Sequence, residues 1–354
     1  MNVVVVKFGG TSVATEEGRN RSASHIVSML NKGKSVVAVV SAMGRKGAPY
    51  ATDTLISLLH KNSKKDTLDL LMSCGEVISA CVFADNLVRH GIDAVAITGS
   101  QAGIVTNGIF GEADIFDVDI KRIKMELYEG KVVIVAGFQG ISVRNEVTTL
   151  GRGGSDTSAM AIGGFLNADA VHIFTDVPGI AVIDPKVVKK AKFMEQVDMR
   201  HMYTLACWGA GVIHPRAIEE AQKYNYEVSV RSTFNDGQGT RLIKNAESEA
   251  GAVGIAIMRE CNLFEPDTYD NLFMEQDGLK RAVRVSPGSN YTLITVVFNE
   301  FSKEDIMSSI GDVPFKAQCF FDKTGAHIFT ESDYVERVAY ELHDKLFESV
   351  ALNK

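Results

Sequence analysis

Val3-Val4-Val5-Val6 opens the chain with an apolar run that does not alternate. A strand with one wet face reads apolar, polar, apolar. A strand without alternation is buried on both faces, a condition met mainly in parallel sheets covered by helices on either side. Similar runs return at Ser35–Val40, Val132–Ala136 and 170–174. Helical patterns over 15–30, 52–60, 66–90 and 118–129 fall between them, with a strand at 93–98. Residues 104–117 read as a hairpin, because Asn107-Gly108 is a strong turn signal. Strand, helix, strand repeated in this way predicts an α/β domain: a three-layer α-β-α sandwich around a mainly parallel sheet.

In such sheets, ligands bind beyond the carboxyl ends of the strands. Lys7, Ser41, Thr98, Arg152 and Thr175 all stand at or just after predicted strand ends, which points to one composite site. The first turn is Lys7-Phe8-Gly9-Gly10-Thr11-Ser12. It is not a Walker A loop, because the lysine precedes the glycines. A longer loop, Thr148 to Ala159, holds Gly151, Gly153 and Gly154 around Arg152, with Ser155 and Asp156 opening a helix. Glycines let backbone N–H groups approach an oxyanion, and a helix start directs its dipole at the same anion. Arg152 adds a planar fork suited to a carboxylate or phosphate. Asp156 is expected to answer a lysine or a metal. In the 66–90 helix, Gly75 beside Glu76 costs about 1 kcal/mol against alanine. Either a nearby ligand or close packing accounts for it.

Several classes are excluded. A net charge of −7 over 354 residues argues against a nucleic-acid partner. No apolar run reaches the roughly 18 residues of a membrane span, so no membrane partner is expected. The start lacks the basic, apolar and small-residue parts of a signal peptide. Cys74, Cys81, Cys207, Cys261 and Cys319 are scattered, without metal-type spacing. Reduced thiols in a cytoplasmic protein with no bound structural metal are the simplest account.

Further on, helices are expected at 198–207 and 215–224, a strand at 227–231, and a linker at 246–251. The domain boundary is placed near 245, giving domains 1–245 and 246–354. In the second domain, strands at 291–298, 316–321 and 326–329 and helices at 302–310 and 332–347 predict a small α+β module. Residues 261–290 carry no clear pattern.

The chain resembles the aspartate kinases of the amino acid kinase family. The resemblance rests on Lys7-Phe8-Gly9-Gly10-Thr11-Ser12, Val39 to Gly44, Ser73-Cys74-Gly75-Glu76, Thr98 to Gly103, Val135 to Gly140, Thr149 to Asp156 and Phe174 to Val177. These segments come in the family's order over most of residues 1–245. The resemblance implies phosphorylation of the L-aspartate β-carboxylate by ATP with Mg²⁺, a first step toward lysine, threonine and methionine. It implies that Lys7 neutralises the transferred group, that Asp156 positions Lys7 or Mg²⁺, and that Thr52, Glu76, Arg152 and Ser155 meet aspartate. Phe8, Gly9, Gly10, Ser41, Thr175, Asp176 and Lys186 would serve the nucleotide, with Gly9 and Gly10 N–H groups on its phosphates. Ala181, Lys186 and Gly211 replace the tyrosine, arginine and lysine usual in the family. The C-terminal region resembles a shortened ACT-type module. A homodimer or higher homo-oligomer, and weak or lost control by lysine or threonine, are expected. A same-fold kinase for another amino acid and an idle regulatory subunit stay open as alternatives.

Overall fold

The computed structural model describes residues 1–246, 250–263, 283–300, 308, 318–322 and 324–348. The chain forms two compact units. One contains Met1–Gly179 and Arg216–Leu242; the other contains Ile180–Pro215 and Ile243–Lys354. Residues 180–215, read from sequence as part of the first domain, thus group with the C-terminal one.

The first unit runs β1 (Val3–Phe8), α1 (Gly10–Ala14), α2 (Glu16–Leu30), β2 (Ser35–Val40), α3 (Thr52–Ile56), α4 (Lys65–Arg89) and β3 (Ala94–Ile97). There follow β4 (Ile104–Thr106), β5 (Ile115–Val118), α5 (Lys121–Tyr128), β6 (Val132–Ala136), β7 (Gln139–Ser142), β8 (Val147–Thr149), α6 (Gly154–Leu166) and β9 (Ala170–Thr175). In the second unit come β10 (Gln196–Asp198) and α7 (Met199–Cys207). The first unit then resumes with α8 (Pro215–Gln222), β11 (Glu227–Ser232) and β12 (Thr240–Ile243).

Its central sheet is ordered β12-β11-β9-β1-β2-β6-β3. Every pairing is parallel except β11 with β12. The non-alternating runs lie in the middle: Val5, Val6, Val36 to Val40 and Val133 to Ala136 have no solvent exposure. One face of the sheet packs on α2 and α4 through Val4, Val6, Phe8, Val40, Phe83 and Leu87. The opposite face packs on α6, where a Cβ on Gly163 would stand 2.4 Å from Val171. This is the predicted three-layer sandwich. A second sheet, β5-β4-β7-β8, carries the predicted hairpin at its edge. It also takes in Gln139 and Gly140, which open β7.

α4 has the length and apolarity of a membrane span, which the sequence reading did not expect. It is a core helix here, with Asp69, Glu76, Phe83 and Leu87 buried in the unit.

The second unit continues with β13 (Gly251–Met258), β14 (Cys261–Leu263), β15 (Val283–Val285), β16 (Tyr291–Asn299), β17 (Gln318–Asp322), β18 (Gly325–Glu331) and α9 (Val335–His343). An antiparallel sheet, β13-β16-β18-β17, packs on α9 through Ile294, Val296, Ile328, Val338 and Leu342. This fits the ACT-like expectation. Ile183, Val187 and Val188 join the same core, and the Ile255 N–H bonds to the Val182 carbonyl at 2.7 Å. Those contacts are why 180–215 belongs with this unit. The helix expected at 302–310 and most of 261–290 lie outside the described residues.

Candidate active site

A cavity of about 580 Å³ opens in the first unit beyond the carboxyl ends of β1 and β2, the place expected for an α/β sheet. Lys7 ends β1 and points to the α6 side. Its Nζ lies 2.6 Å from Asp156 Oδ1, and both side chains are nearly buried. Asp156 sits in the first turn of α6. Gly153 caps that helix at φ +71°, and Gly151 stands at φ +72°; both are left-handed conformations that favour glycine. The first turn of α6, and with it the positive end of the helix dipole, therefore borders the cavity beside Arg152, Gly154 and Ser155. Arg152 is exposed and makes no ion pair among the described residues.

α4 brings Glu76 to the opposite wall. Its Oε1 accepts the Ala42 N–H at 3.0 Å, while Oε2 is buried without a partner. Burial raises the Glu76 carboxyl to about 8, against the lesser opposing pull of the Ala42 bond and the Lys7 charge. Gly75 is explained by packing. A Cβ there would stand 2.9 Å from Ala42 Cβ, 3.1 Å from the Tyr50 carbonyl and 3.2 Å from Leu55. Thr52, at the start of α3, completes this wall together with Ser41 and Asp53.

Of the residues expected in the site, Lys7, Gly10, Ser41, Thr52, Glu76, Arg152, Ser155 and Asp156 meet around this cavity. Phe8 does not line it: its fully buried ring stacks on Phe174 at 5.0 Å and meets Phe83 edge-on at 5.5 Å. The Gly9 N–H bonds to the Phe174 carbonyl at 3.2 Å. Gly10, which accepts the Gly44 N–H, is the glycine of that turn on the cavity wall. Thr175 ends β9 and Asp176 follows it; the Thr175 hydroxyl donates to Asp176 and Arg45 pairs with Asp176. Lys186 belongs to the second unit, its N–H bonded to Asp184.

The sequence reading missed several contributors. Arg45 and Lys46 line the cavity, so with Lys7 and Arg152 it carries four cationic side chains. Facing them are Asp53, Asp156 and the predominantly protonated Glu76. A cationic hollow of this kind suits two anions brought close together. Phe138 lines the wall at φ +69°, held there by bonds from its N–H to Ser158 Oγ and from the Leu150 N–H to its carbonyl. Asp69, fully buried on α4, accepts the Gly111 N–H at 2.9 Å, the Thr149 N–H at 2.7 Å and the Thr149 hydroxyl at 3.0 Å. Arg216 binds the Leu150 and Ala113 carbonyls from the other side. The strand leading to Arg152 is thereby clamped from α4 and from α8.

Residues 2–232 match the model of the amino acid kinase family. Aspartokinase 1 of Bacillus subtilis is 42% identical over 275 residues, covering 75% of this chain and 68% of that protein. Aspartokinase 2 of the same organism is 36% identical over 349 residues, covering 97% of this chain and 79% of that protein. The chain belongs to the aspartokinases of the amino acid kinase family. It is accordingly a kinase. The Geobacillus stearothermophilus aspartokinase is 42% identical over 252 residues, covering 70% of this chain and 61% of that protein. The fold matches Escherichia coli aspartokinase III, solved with aspartate and ADP, at a TM-score of 0.78 and 23% identity over 98% of this chain and all of that one.

Proposed function

We propose that this aspartokinase transfers the γ-phosphoryl group of ATP to the β-carboxylate of L-aspartate, giving 4-phospho-L-aspartate and ADP. The observation that carries the reading is the convergence of Lys7, Arg45, Lys46 and Arg152 on one cavity that also holds the buried Glu76. Two anions repel, so positioning and charge neutralisation are the main tasks of such a site. Arg152 grips the substrate α-carboxylate and Glu76 takes its ammonium. Thr52 and Ser155 fix the rest of the amino acid. Lys7, steadied by Asp156, neutralises the migrating phosphoryl group, and the Gly10 N–H and the first turn of α6 face the nucleotide phosphates. Ser41, Thr175, Asp176 and Lys186 serve the nucleotide. No general base is required, because a β-carboxylate is ionised at neutral pH.

Mg²⁺ fits this donor set: such ions are held by one or two carboxylates plus substrate phosphates, and Asp156 is on the cavity wall beside Lys7. When bound, Mg²⁺ supplies charge neutralisation on the phosphate oxygens.

An ADP-release assay with aspartate, glutamate and N-acetylglutamate tests the reading. Turnover with aspartate alone is expected. Turnover with another acceptor, or none with aspartate, would overturn it. Adding millimolar lysine or threonine tests the proposed weak or lost feedback control, which strong inhibition would refute. Light scattering tests the proposed homo-oligomer.

A further inference from the structure

A second crevice, of about 320 Å³, lies in the first unit on the α2 side of β1, β9 and β11, the face opposite Lys7. Its floor is a relay of three side chains. His172 on β9 pairs in register with Ser229 on β11, and Arg231 follows two residues on, on the same face. Ser229 Oγ receives the Arg231 Nε–H at 2.9 Å and lies 2.7 Å from His172 Nδ1. The buried Ser229 hydroxyl has no other acceptor among the described residues, so its own proton goes to Nδ1. His172 therefore keeps its ring proton on Nε2, which has no partner among the described residues. Burial, reinforced by the Arg231 and Lys32 charges, lowers His172 to about 3 and keeps the ring neutral.

Three cations and two carboxylates face this floor. Lys34 is taken by Asp169 at 2.8 Å. Lys32, at the end of α2, and Arg231 make no ion pair among the described residues, and Arg231 is partly buried. Glu227 stands exposed at the rim. His25 is turned to the Thr233 carbonyl at 3.0 Å. A partly buried guanidinium without a carboxylate partner is unusual, because removing such a charge from water is costly unless it is paired. Beside it, His172 is 8% exposed and offers an N–H to the same space.

We propose that this crevice binds a small oxyanion, phosphate or carboxylate, through the Arg231 guanidinium fork, the His172 Nε2–H and the Lys32 ammonium. The Arg231 fork suits two oxygens of such a group. Lys32 adds a mobile charge, and Glu227 weakens the grip.

Calorimetric titration of the full chain with inorganic phosphate, and separately with malonate, tests this at constant ionic strength. Saturable binding of either at a site that persists in Arg152→Gln is expected, and the tighter of the two identifies the class. Arg231→Gln should weaken it at least tenfold, Lys32→Ala severalfold, and Glu227→Gln should tighten it. Arg152→Gln, in the other cavity, should leave it unchanged. Lys32 is exposed, so its variant retains the fold even if Arg231→Gln does not. In ¹⁵N-histidine spectra the His172 Nε2 signal should shift on titration. No saturable binding, loss of binding in Arg152→Gln, or full binding in Lys32→Ala with an unmoved His172 signal would overturn the proposal.

Discussion

Lys7 Nζ stands 2.6 Å from Asp156 Oδ1, joining the end of the first strand to the first turn of α6. In the proposed reaction Lys7 is the cation that meets the phosphoryl group, and Asp156 fixes its direction. Lys7→Ala should lower kcat by on the order of 10²–10³, the usual loss for one electrostatic contact to a transition state. Asp156→Asn should cost less, because the Lys7 charge survives. The double variant should cost little more than Lys7→Ala, since Asp156 acts here through Lys7. Full additivity in steady-state kinetics would separate the two roles.

Glu76 gives the site a pH dependence of definite sign. Burial raises its carboxyl to about 8, so at neutral pH it is mostly protonated and a weak partner for an ammonium. Aspartate KM should fall as pH rises from 6.5 toward 8.5, by at most about tenfold per unit for a single proton. Glu76→Gln should raise KM and flatten the profile. A KM for aspartate that is constant over this range in the parent enzyme would contradict the assigned role. The stability effect has the opposite sign: a raised carboxyl disfavours the folded state as pH climbs from 4.5 through 8.

Asp69 does not itself line the cavity, yet it holds the approach to Arg152 through three hydrogen bonds. Asp69→Ala would strand the Gly111 and Thr149 N–H groups inside the protein. At about 1–3 kcal/mol for each unsatisfied buried group, roughly 2–6 kcal/mol of stability should be lost. Aspartate KM should rise as the Arg152 loop loosens. Asp69→Asn keeps one acceptor oxygen and should fall between. Denaturant unfolding with KM measurements checks both effects.

What could be read from the chain alone follows from how local each signal is. The unalternating valines of β1, β2 and β6 state their own burial, so the three-layer sandwich was legible. Lys7, Arg152 and Asp156 were legible because each stands beside glycines at a strand or helix end. Asp69 was not: a lone aspartate inside an apolar helix looks like a solvated position until β8 and the Gly111 turn, 80 and 42 residues away, come to meet it. Phe8 and Gly9 share a motif with Lys7, but β1 geometry sends the Phe8 ring into the core and commits the Gly9 N–H to Phe174. Arg45 and Lys46 carry no strand or helix pattern that would place them at the site. Gly251 and Gly254 concealed β13, whose strand character comes from pairing with β16. The grouping of 180–215 with the second unit depends on contacts with β13 that no local pattern announces.

The second unit contains its own reporter. Trp208 is the single tryptophan of the chain, and its ring centroid lies 4.7 Å from that of the fully buried His327. His327 in turn faces Asp322 at 3.3 Å and Thr295 at 3.0 Å. Burial alone would raise the Asp322 carboxyl, but hydrogen bonds with His327 and Thr324 outweigh it and hold the group below its ordinary 3.8. A depressed carboxyl contributes stability that is complete above the unfolded value and lost as pH falls through the folded one. Trp208 fluorescence should therefore be steady above about pH 5 and change cooperatively below pH 4, where Asp322 takes up its proton. Asp322→Asn should move that transition upward and weaken it, since the amide lacks the carboxylate's charge. A transition identical in the parent and in Asp322→Asn would assign the acid sensitivity of this unit to another group.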